Sequence, residues 1–257
     1  MSHVSKTVRL DVSDGLATIR LDREHGNAIN GDLLQDLLTA YQEVAADPGA
    51  RGVLLTSAGK LFSPGLDLRE LLEFDRTRMQ RFMARLTACL IVMYTCPKPV
   101  VAAVRGHALA GGCVLALTAD RRCLREGAMI GLNEVKVGVP LPFGVSLILR
   151  EAARTPRTEE VALLGRNYSG AEAVDVGLAH EVLPEEGFEE RCLERLAELT
   201  TRDPRAYATT KRYLRSRTVE RIRASDFPLL EEFLDCWFSA ATRARIESIV
   251  SELESRT

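Results

Sequence analysis

Lys98-Pro-Val-Val-Ala-Ala-Val-Arg-Gly-His-Ala-Leu-Ala-Gly-Gly-Cys-Val-Leu-Ala-Leu-Thr-Ala-Asp120 is the segment that decides the fold of this chain. The apolar run at 100–104 has the length and β-branched content of a buried strand. A glycine-bounded turn follows at 106–112, and residues 113–119 predict a buried helix. In this order, the turn points unpaired backbone N–H groups at whatever lies above it. The Gly111-Gly112 pair lacks side chains, so a ligand could approach the backbone closely here.

The glycine spacing in this segment excludes two phosphate-binding motifs. Gly106 followed by Gly111-Gly112 does not fit the dinucleotide pattern G-x-G-x-x-G, and no Gly-Lys-Ser/Thr closes a phosphate loop. A single Gly-Gly pair is also compatible with tight packing of a helix on a strand. The functional interpretation therefore depends on a second segment of the same character.

That second segment is the predicted loop at 57–66, Ser57-Ala-Gly-Lys-Leu-Phe-Ser-Pro-Gly-Leu66. It follows a predicted buried strand and leads into a helix start, where Asp67 is a plausible N-cap. Ser63 does not fit a nucleophile elbow, because Leu61 stands where that motif requires glycine. The chain thus has two strand, glycine loop, helix units.

Composition and charge limit the class of protein. The chain has 257 residues, 46% hydrophobic and 27% charged, which suits one large globular core. The net charge of -2 gives no electrostatic case for nucleic acid. The six cysteines form no CxxC pair, which is typical of free cytosolic thiols. The N-terminus lacks an apolar signal core, and no run approaches the ~20 apolar residues that span a bilayer. We therefore expect a cytoplasmic protein without a nucleic-acid or membrane partner.

Hydrophobic periodicity predicts the remaining elements. The predicted strands cover residues 7–12, 16–21, 52–56, 100–104, 120–124 and 179–183. The predicted helices cover residues 32–46, 79–96, 142–154 and 159–165. From residue 188 the chain is predicted to be nearly all helix, with breaks near 203–204 and 226–228. The wide apolar face of this terminal arm must pack on its own core or on a neighbouring subunit.

Taken together, the two glycine loops resemble those of the crotonase superfamily, also called the enoyl-CoA hydratase/isomerase family. Phe62-Ser-Pro-Gly-Leu-Asp-Leu68 resembles the first oxyanion-hole loop, and Lys98–Gly106 with Ala110-Gly-Gly-Cys113 resembles the second. The resemblance covers nearly the whole chain. It implies an α/β fold, a crotonase-like spiral of ββα units at 1–190 that carries the site, and a C-terminal helical trimerisation region at 191–257. A homotrimer or homohexamer is implied as well.

The resemblance also implies an acyl-CoA substrate whose enolate is stabilised by two backbone N–H groups. By position these donors belong to Leu66 and Gly111. Pro64, where the family often has alanine, removes an N–H but not the one at Leu66. CoA enters as part of the substrate, and no separate cofactor or metal is implied.

Contacts with the CoA portion are implied mainly through backbone around the first loop. The candidates are Ala28, Lys60, Phe62 and Ser63. Lys60 and basic residues of the C-terminal helices, such as Lys211, are candidates for contacts with the CoA phosphates.

The departures from the family pattern concern the carboxylates. Hydratases of this family carry two catalytic carboxylates. At the position of the first carboxylate this chain has Val114. At the position of the second it has Glu134, in Gly131-Leu-Asn-Glu-Val-Lys-Val-Gly138. A single glutamate suffices to move a proton along an acyl chain, and this context resembles the Δ3-Δ2-enoyl-CoA isomerases. The alternative for Glu134 is a buried ion pair with Lys136 or an arginine.

Three other functions remain open at this stage. Another enolate chemistry on the same fold, such as thioester hydrolysis, decarboxylation or weak hydration, is compatible with Val114. A cysteine enzyme would use Cys113, at a helix start near His107. A non-catalytic oligomeric scaffold or an RNA-binding protein is the third, although no basic patch supports RNA.

Overall fold

The computed structural model describes the backbone of residues 2–255 and the side chains of residues 5–255. The described strands are β1 (Ser2–Val4), β2 (Val8–Ser13), β3 (Leu16–Leu21), β4 (Gly52–Ser57), β5 (Leu61–Ser63), β6 (Val100–Val104), β7 (His107–Leu109), β8 (Arg121–Arg125), β9 (Met129–Gly131), β10 (Asn167–Ser169) and β11 (Glu181–Leu183). The helices are α1 (Glu24–Asn27), α2 (Gly31–Ala46), α3 (Leu68–Leu72), α4 (Arg76–Tyr94), α5 (Gly111–Leu117), α6 (Glu134–Val137), α7 (Phe143–Ala152), α8 (Thr158–Leu164), α9 (Gly170–Asp175), α10 (Phe188–Thr200), α11 (Pro204–Trp237) and α12 (Ala240–Glu254).

The strands form two sheets that the chain visits alternately. The larger sheet has the order β1-β2-β3-β4-β6-β8-β11, and the smaller has the order β10-β9-β7-β5. The strands β4, β6 and β8 belong to the larger sheet, and the strands that follow them, β5, β7 and β9, belong to the smaller sheet. At least one helix follows each of these short strands before the chain returns to the larger sheet. Neighbours from β3 to β11 in the larger sheet pair in parallel, as do β5, β7 and β9. The predicted spiral of ββα units is confirmed.

The central strands are apolar because both of their faces are covered. Every residue of β4 and β6 is buried. Val53, Leu55 and alternate residues of β6 join the main core, whereas Leu54 and the intervening residues of β6 pack with α10. A strand covered on both faces shows a continuous apolar run instead of alternation, as the sequence has here.

The short strands of the smaller sheet were missed by the sequence analysis. The predicted loop at 57–66 contains β5, and the predicted turn at 106–112 contains β7. These two strands pair in parallel, and each is three residues long, too short for periodicity to appear. They form because the larger sheet brings them together.

The terminal helices also differ from the prediction at one point. The break near 203–204 is confirmed, since Asp203 caps α11 by accepting from the N–H of Ala206. The break predicted near 226–228 is wrong, because α11 continues through Pro228. Proline removes the hydrogen bond to Ala224, four residues earlier, and Ala224 is exposed, where solvent can satisfy its carbonyl.

The C-terminal arm folds back on the chain's own core. Phe233 and Trp237 of α11 and Ile246 of α12 are buried in the main hydrophobic cluster. None of the helices within residues 2–255 combines the length and hydropathy needed to cross a membrane. The domain boundary near residue 190 stays a prediction.

A buried ion cluster fastens α11 to the larger sheet. Asp120, just before β8, pairs with Lys211 at 2.7 Å and with Arg215 at 2.8 Å. The same carboxylate accepts from the N–H of Val100 at 2.8 Å. The side chains of Asp120, Lys211 and Arg215 are 12%, 7% and 15% exposed, respectively. Because they are shielded from water, each charge needs its partner to be stable in the folded chain.

We expect Asp120→Asn to destabilise the fold by about 3–5 kcal/mol, because it leaves two buried cations without a counter-charge. Asp32→Asn is the matched control, since Asp32 pairs with Lys6 where the two side chains are 51% and 79% exposed. That change should cost less than about 1 kcal/mol. Urea unfolding of both variants measures the difference, and equal losses would contradict this account.

Candidate active site

The N–H of Leu66 is oriented by a bridge between the first loop and the segment before α2. Ile29 donates its N–H to the Gly65 carbonyl at 2.7 Å, and Asp67 donates its N–H to the Ile29 carbonyl at 2.9 Å. In such a parallel bridge, the central residue directs its own N–H to the opposite side. The Leu66 N–H therefore points away from Ile29.

The second predicted donor, Gly111, begins α5. The first N–H groups of a helix have no intrahelical acceptor. Ala110, just before it, has φ 47° and ψ −122°, a conformation that costs a non-glycine residue strain. Its N–H donates to the Gly131 carbonyl at 2.8 Å, which holds the turn in place.

The two loops touch through backbone. A Cβ added to Gly65, whose φ is +104°, would lie 3.1 Å from the Gly111 nitrogen. A Cβ added to Gly112 would lie 2.1 Å from the Ser63 carbonyl oxygen. Glycine is thus required at both contacts, and Leu66 and Gly111 both line one cavity. This arrangement can hold a developing oxyanion.

Glu134, the first residue of α6, places a carboxylate on the wall of this cavity. Part of the residue is exposed, but its Oε2 is buried without a hydrogen-bond partner among the described residues. Burial raises the pKa of the Glu134 carboxyl from about 4.5 to about 7, although its own backbone opposes the rise slightly. The predicted alternative, an ion pair with Lys136 or an arginine, is absent within the part of the chain that is described. Glu134 is therefore suited to general acid–base chemistry near neutral pH.

The cavity has a volume of about 540 Å³ and a mostly apolar wall. Val114, one turn along α5 from Gly111, also lies on that wall. It occupies the sequence position at which the first carboxylate of a hydratase was expected. Asp67 is the other carboxylate on the wall, but it pairs with Arg23 at 2.7 Å and accepts from the Glu70 N–H. The N-cap predicted at Asp67 is confirmed. Among the described carboxylates of this wall, Glu134 alone has no ion pair.

The residues predicted to contact CoA occupy different environments. Ala28 lies on the cavity wall, and Lys60 is exposed next to Leu61, which also lies there. Phe62 and Ser63 are fully buried, so any contact they make with a ligand would come through backbone. The Ser63 hydroxyl donates to the Asn27 carbonyl at 2.8 Å and accepts from the N–H of Gly65. Its visible role is to shape the first loop, and the CoA contacts stay predictions.

Two alternatives from the sequence find no support in the geometry. Lys211 is buried against Asp120 and is not available to a phosphate. Burial raises the pKa of the Cys113 thiol well above its usual range, which disfavours the thiolate. The Nδ1 of His107 accepts from the N–H of Met129 at 3.0 Å, so this ring nitrogen is occupied by the backbone.

Sequence analysis missed the rest of the cavity wall. Side chains from four separate helices contribute to it: Met83 and Leu86 of α4, Val145 of α7, Phe233 and Trp237 of α11, and Ile249 and Leu253 of α12. Each was visible only as part of an apolar helix face. No motif links positions so far apart in the chain. Within the described residues, no group of three or more His, Cys, Asp or Glu side chains is placed to hold a metal ion.

Comparisons with known proteins identify the family to which the chain belongs. The family model described as enoyl-CoA hydratase/isomerase matches residues 11–243. A putative enoyl-CoA hydratase of Thermus thermophilus is 37% identical over 166 residues, which make up 63% of this chain and 65% of that protein. Human mitochondrial enoyl-CoA delta isomerase 1 is 29% identical over 218 residues, or 84% of this chain and 72% of that protein.

A comparison with a solved structure shows that the similarity extends over the whole fold. The crystal structure of human mitochondrial Δ3-Δ2-enoyl-CoA isomerase matches with a TM-score of 0.93 and 25% identity. The match covers 98% of this chain and 100% of that one. Since the family model spans most of the chain and the ββα spiral carries both loops, the chain belongs to the enoyl-CoA hydratase/isomerase, or crotonase, family.

Proposed function

We propose that this protein is an enoyl-CoA isomerase that moves a double bond from C3 to C2 of an acyl-CoA. One observation carries the proposal: Glu134 is the only carboxylate on the described cavity wall without an ion pair, and Val114 fills the position of a second one. Moving one proton between two carbons needs one base that can also act as an acid. Adding water needs two groups, one to activate water and one to handle the proton at C2.

In the proposed mechanism, the thioester oxygen accepts hydrogen bonds from the N–H groups of Leu66 and Gly111. Glu134 removes a proton from C2 of a 3-enoyl-CoA, and the electron pair spreads over C2, C4 and the thioester oxygen as a dienolate. The two amides stabilise this charge more than they stabilise the neutral thioester, which lowers the barrier. Glu134 then returns the proton to C4, which leaves the trans-2-enoyl-CoA and restores the carboxylate.

Hydration of a 2-enoyl-CoA is the second candidate. It is favoured by the similarity to the putative hydratase of Thermus thermophilus. It would need a water activated by a group other than Val114, and Asp67 is held by Arg23. The two reactions start from different substrates, so they can be measured separately.

We expect the purified protein to convert a trans-3-enoyl-CoA to the trans-2 isomer while adding little water to crotonyl-CoA. Both reactions are run in D2O, with products identified by mass spectrometry. Glu134→Gln should lower kcat for isomerisation by about 10²–10⁴, because it removes the base but keeps the shape. Glu73→Gln, an exposed change at the end of α3, is the control. Fast hydration of crotonyl-CoA would contradict the proposal.

The isomerisation rate should also depend on pH near neutrality. A carboxyl with a pKa of about 7 holds its proton below that value, so the active carboxylate is lost as the pH falls. We expect kcat/KM to fall about tenfold per unit below pH 7. A profile that stays flat down to pH 5 would show that the catalytic base has an ordinary carboxyl pKa.

The mostly apolar wall of the cavity should favour a long hydrocarbon acyl group. Each buried methylene contributes about 0.8 kcal/mol, so kcat/KM should rise about fourfold per added methylene until the cavity is full. We expect trans-3-decenoyl-CoA to react faster than trans-3-hexenoyl-CoA. Val145→Trp should remove most of this preference by filling the cavity, while leaving the shorter substrate active. Equal rates for both chain lengths in the unaltered protein would contradict the assignment.

A further inference from the structure

We propose that Arg23 is a positioning residue for the oxyanion hole, because it clamps the segment before α2 to the loop that carries Leu66. The inference rests on the enolate chemistry proposed above. Arg23 is not assigned a contact with substrate. Its effect would reach the reaction through the direction of the Leu66 N–H.

The Arg23 guanidinium joins two segments that are far apart in sequence. Its Nη1 donates to the Ala28 carbonyl at 2.9 Å, and its Nη2 donates to Asp67 Oδ2 at 2.7 Å. The Arg23 side chain is 14% exposed and that of Asp67 is 9% exposed, so solvent screens the pair little. The planar fork of arginine reaches both acceptors in a fixed geometry.

The backbone on each side of Leu66 is tied to the same clamp. Gly65 and Asp67 both bond to the backbone of Ile29, the residue after Ala28. The Arg23 side chain adds a second connection, because it bonds to both Ala28 and Asp67. The backbone around Leu66 is therefore held to the segment before α2 by backbone hydrogen bonds and by the guanidinium.

Asp67 uses its two carboxylate oxygens for different tasks. Oδ2 pairs with Arg23, whereas Oδ1 accepts from the Glu70 N–H at 3.3 Å and caps α3. A second link runs parallel to the first, because Asn30 donates to Glu70 Oε2 at 2.9 Å. The start of α3 is thus held to the start of α2 by both links.

The turn that follows Arg23 fixes where its side chain begins. His25, Gly26 and Asn27 have positive φ values of 60°, 68° and 65°. The Asn27 side chain accepts from the Arg23 N–H at 2.8 Å and donates to the Leu61 carbonyl at 3.2 Å. Arg23 is anchored at its backbone as well as at its guanidinium.

A role in positioning explains this arrangement better than a role in stability. A buried ion pair adds little net stability compared with well-packed apolar side chains, because removing charges from water is costly. Its fixed geometry does matter to an oxyanion hole. Removing one donor costs about 10²–10³ in kcat, and a shift of ~1 Å can cost about 10².

The test compares Arg23→Lys with a matched change elsewhere. Lysine keeps the charge, but its donors all lie on one nitrogen at the end of a flexible stem, so it cannot hold the two acceptors in the fixed geometry of the guanidinium fork. Arg20→Lys is the control, since Arg20 pairs with Glu189 on the far side of the larger sheet, where the side chains are 27% and 26% exposed. For a trans-3-enoyl-CoA, Arg23→Lys should lower kcat about 10–100-fold with KM changed less than about threefold. Arg20→Lys should leave both constants unchanged.

A spectroscopic measurement separates positioning from general loss of structure. A 3-ketoacyl-CoA bound in the hole ionises to an enolate, which is followed by its near-ultraviolet absorbance as the pH is raised. In Arg23→Lys, the pH at half-ionisation of the bound ligand should rise by about 1–2 units, which is the same 10–100-fold loss of enolate stabilisation. The thermal midpoint should fall no more than in Arg20→Lys. Asp67→Asn, which keeps the helix cap, should move the enolate titration in the same direction.

Each outcome decides the matter. An enolate titration that is unchanged in both Arg23→Lys and Asp67→Asn would overturn the positioning role. A parallel loss of kcat and thermal stability, with the enolate titration unmoved, would show a purely structural role. If the unaltered protein isomerises no 3-enoyl-CoA but the titration still moves, the proposed function fails while the clamp stands. If the unaltered protein binds no enolate, the oxyanion hole and the clamp both fail.

Discussion

The close backbone contact between the two glycine loops is the constraint on which the rest of the site depends. Ser63 and Gly112 approach so closely that a single added carbon would lie 2.1 Å from a carbonyl oxygen. Strand pairing between β5 and β7 sets this approach, and glycine makes it possible. Leu66 and Gly111 line one cavity, and the closeness of the two loops brings them together there. The smaller sheet, although its strands are short, therefore brings the two proposed oxyanion-hole loops together.

The electrostatics of the site follow from what surrounds this contact. A carboxylate buried without a partner is disfavoured, which is why the pKa of Glu134 rises to about 7. Apolar side chains of α11 and α12, from the end of the chain, line the same cavity as Glu134. The ion cluster at Asp120 fastens α11 to the sheet. Helices distant in sequence thus contribute to the apolar surroundings of the proposed base.

The errors of the sequence analysis have a common physical origin. Residues 57–66 and 106–112 were assigned as loop and turn, because three-residue strands carry no periodic signal. A helix break was expected near Pro228, yet the helix continues there, since the residue four positions earlier is exposed and solvent can replace the lost hydrogen bond. Lys211 was considered for phosphate contact, but it lies in a buried ion pair. In each case, the environment supplied by the folded chain outweighed the local preference.

The sequence by itself determined the two units of strand, glycine loop and helix and the two candidate amides. It also determined that Glu134 is the one candidate carboxylate, because Val114 occupies the position of the other. These features are local, since they depend on residue types at fixed spacing and on their resemblance to family loops. Only the tertiary structure decided that Leu66 and Gly111 share one cavity wall and that Glu134 Oε2 is buried. Only it brought Arg23 to Asp67, 44 positions later in the chain. Such relations depend on how the chain passes between the two sheets, and no short stretch of sequence encodes a distance between residues that meet only after folding.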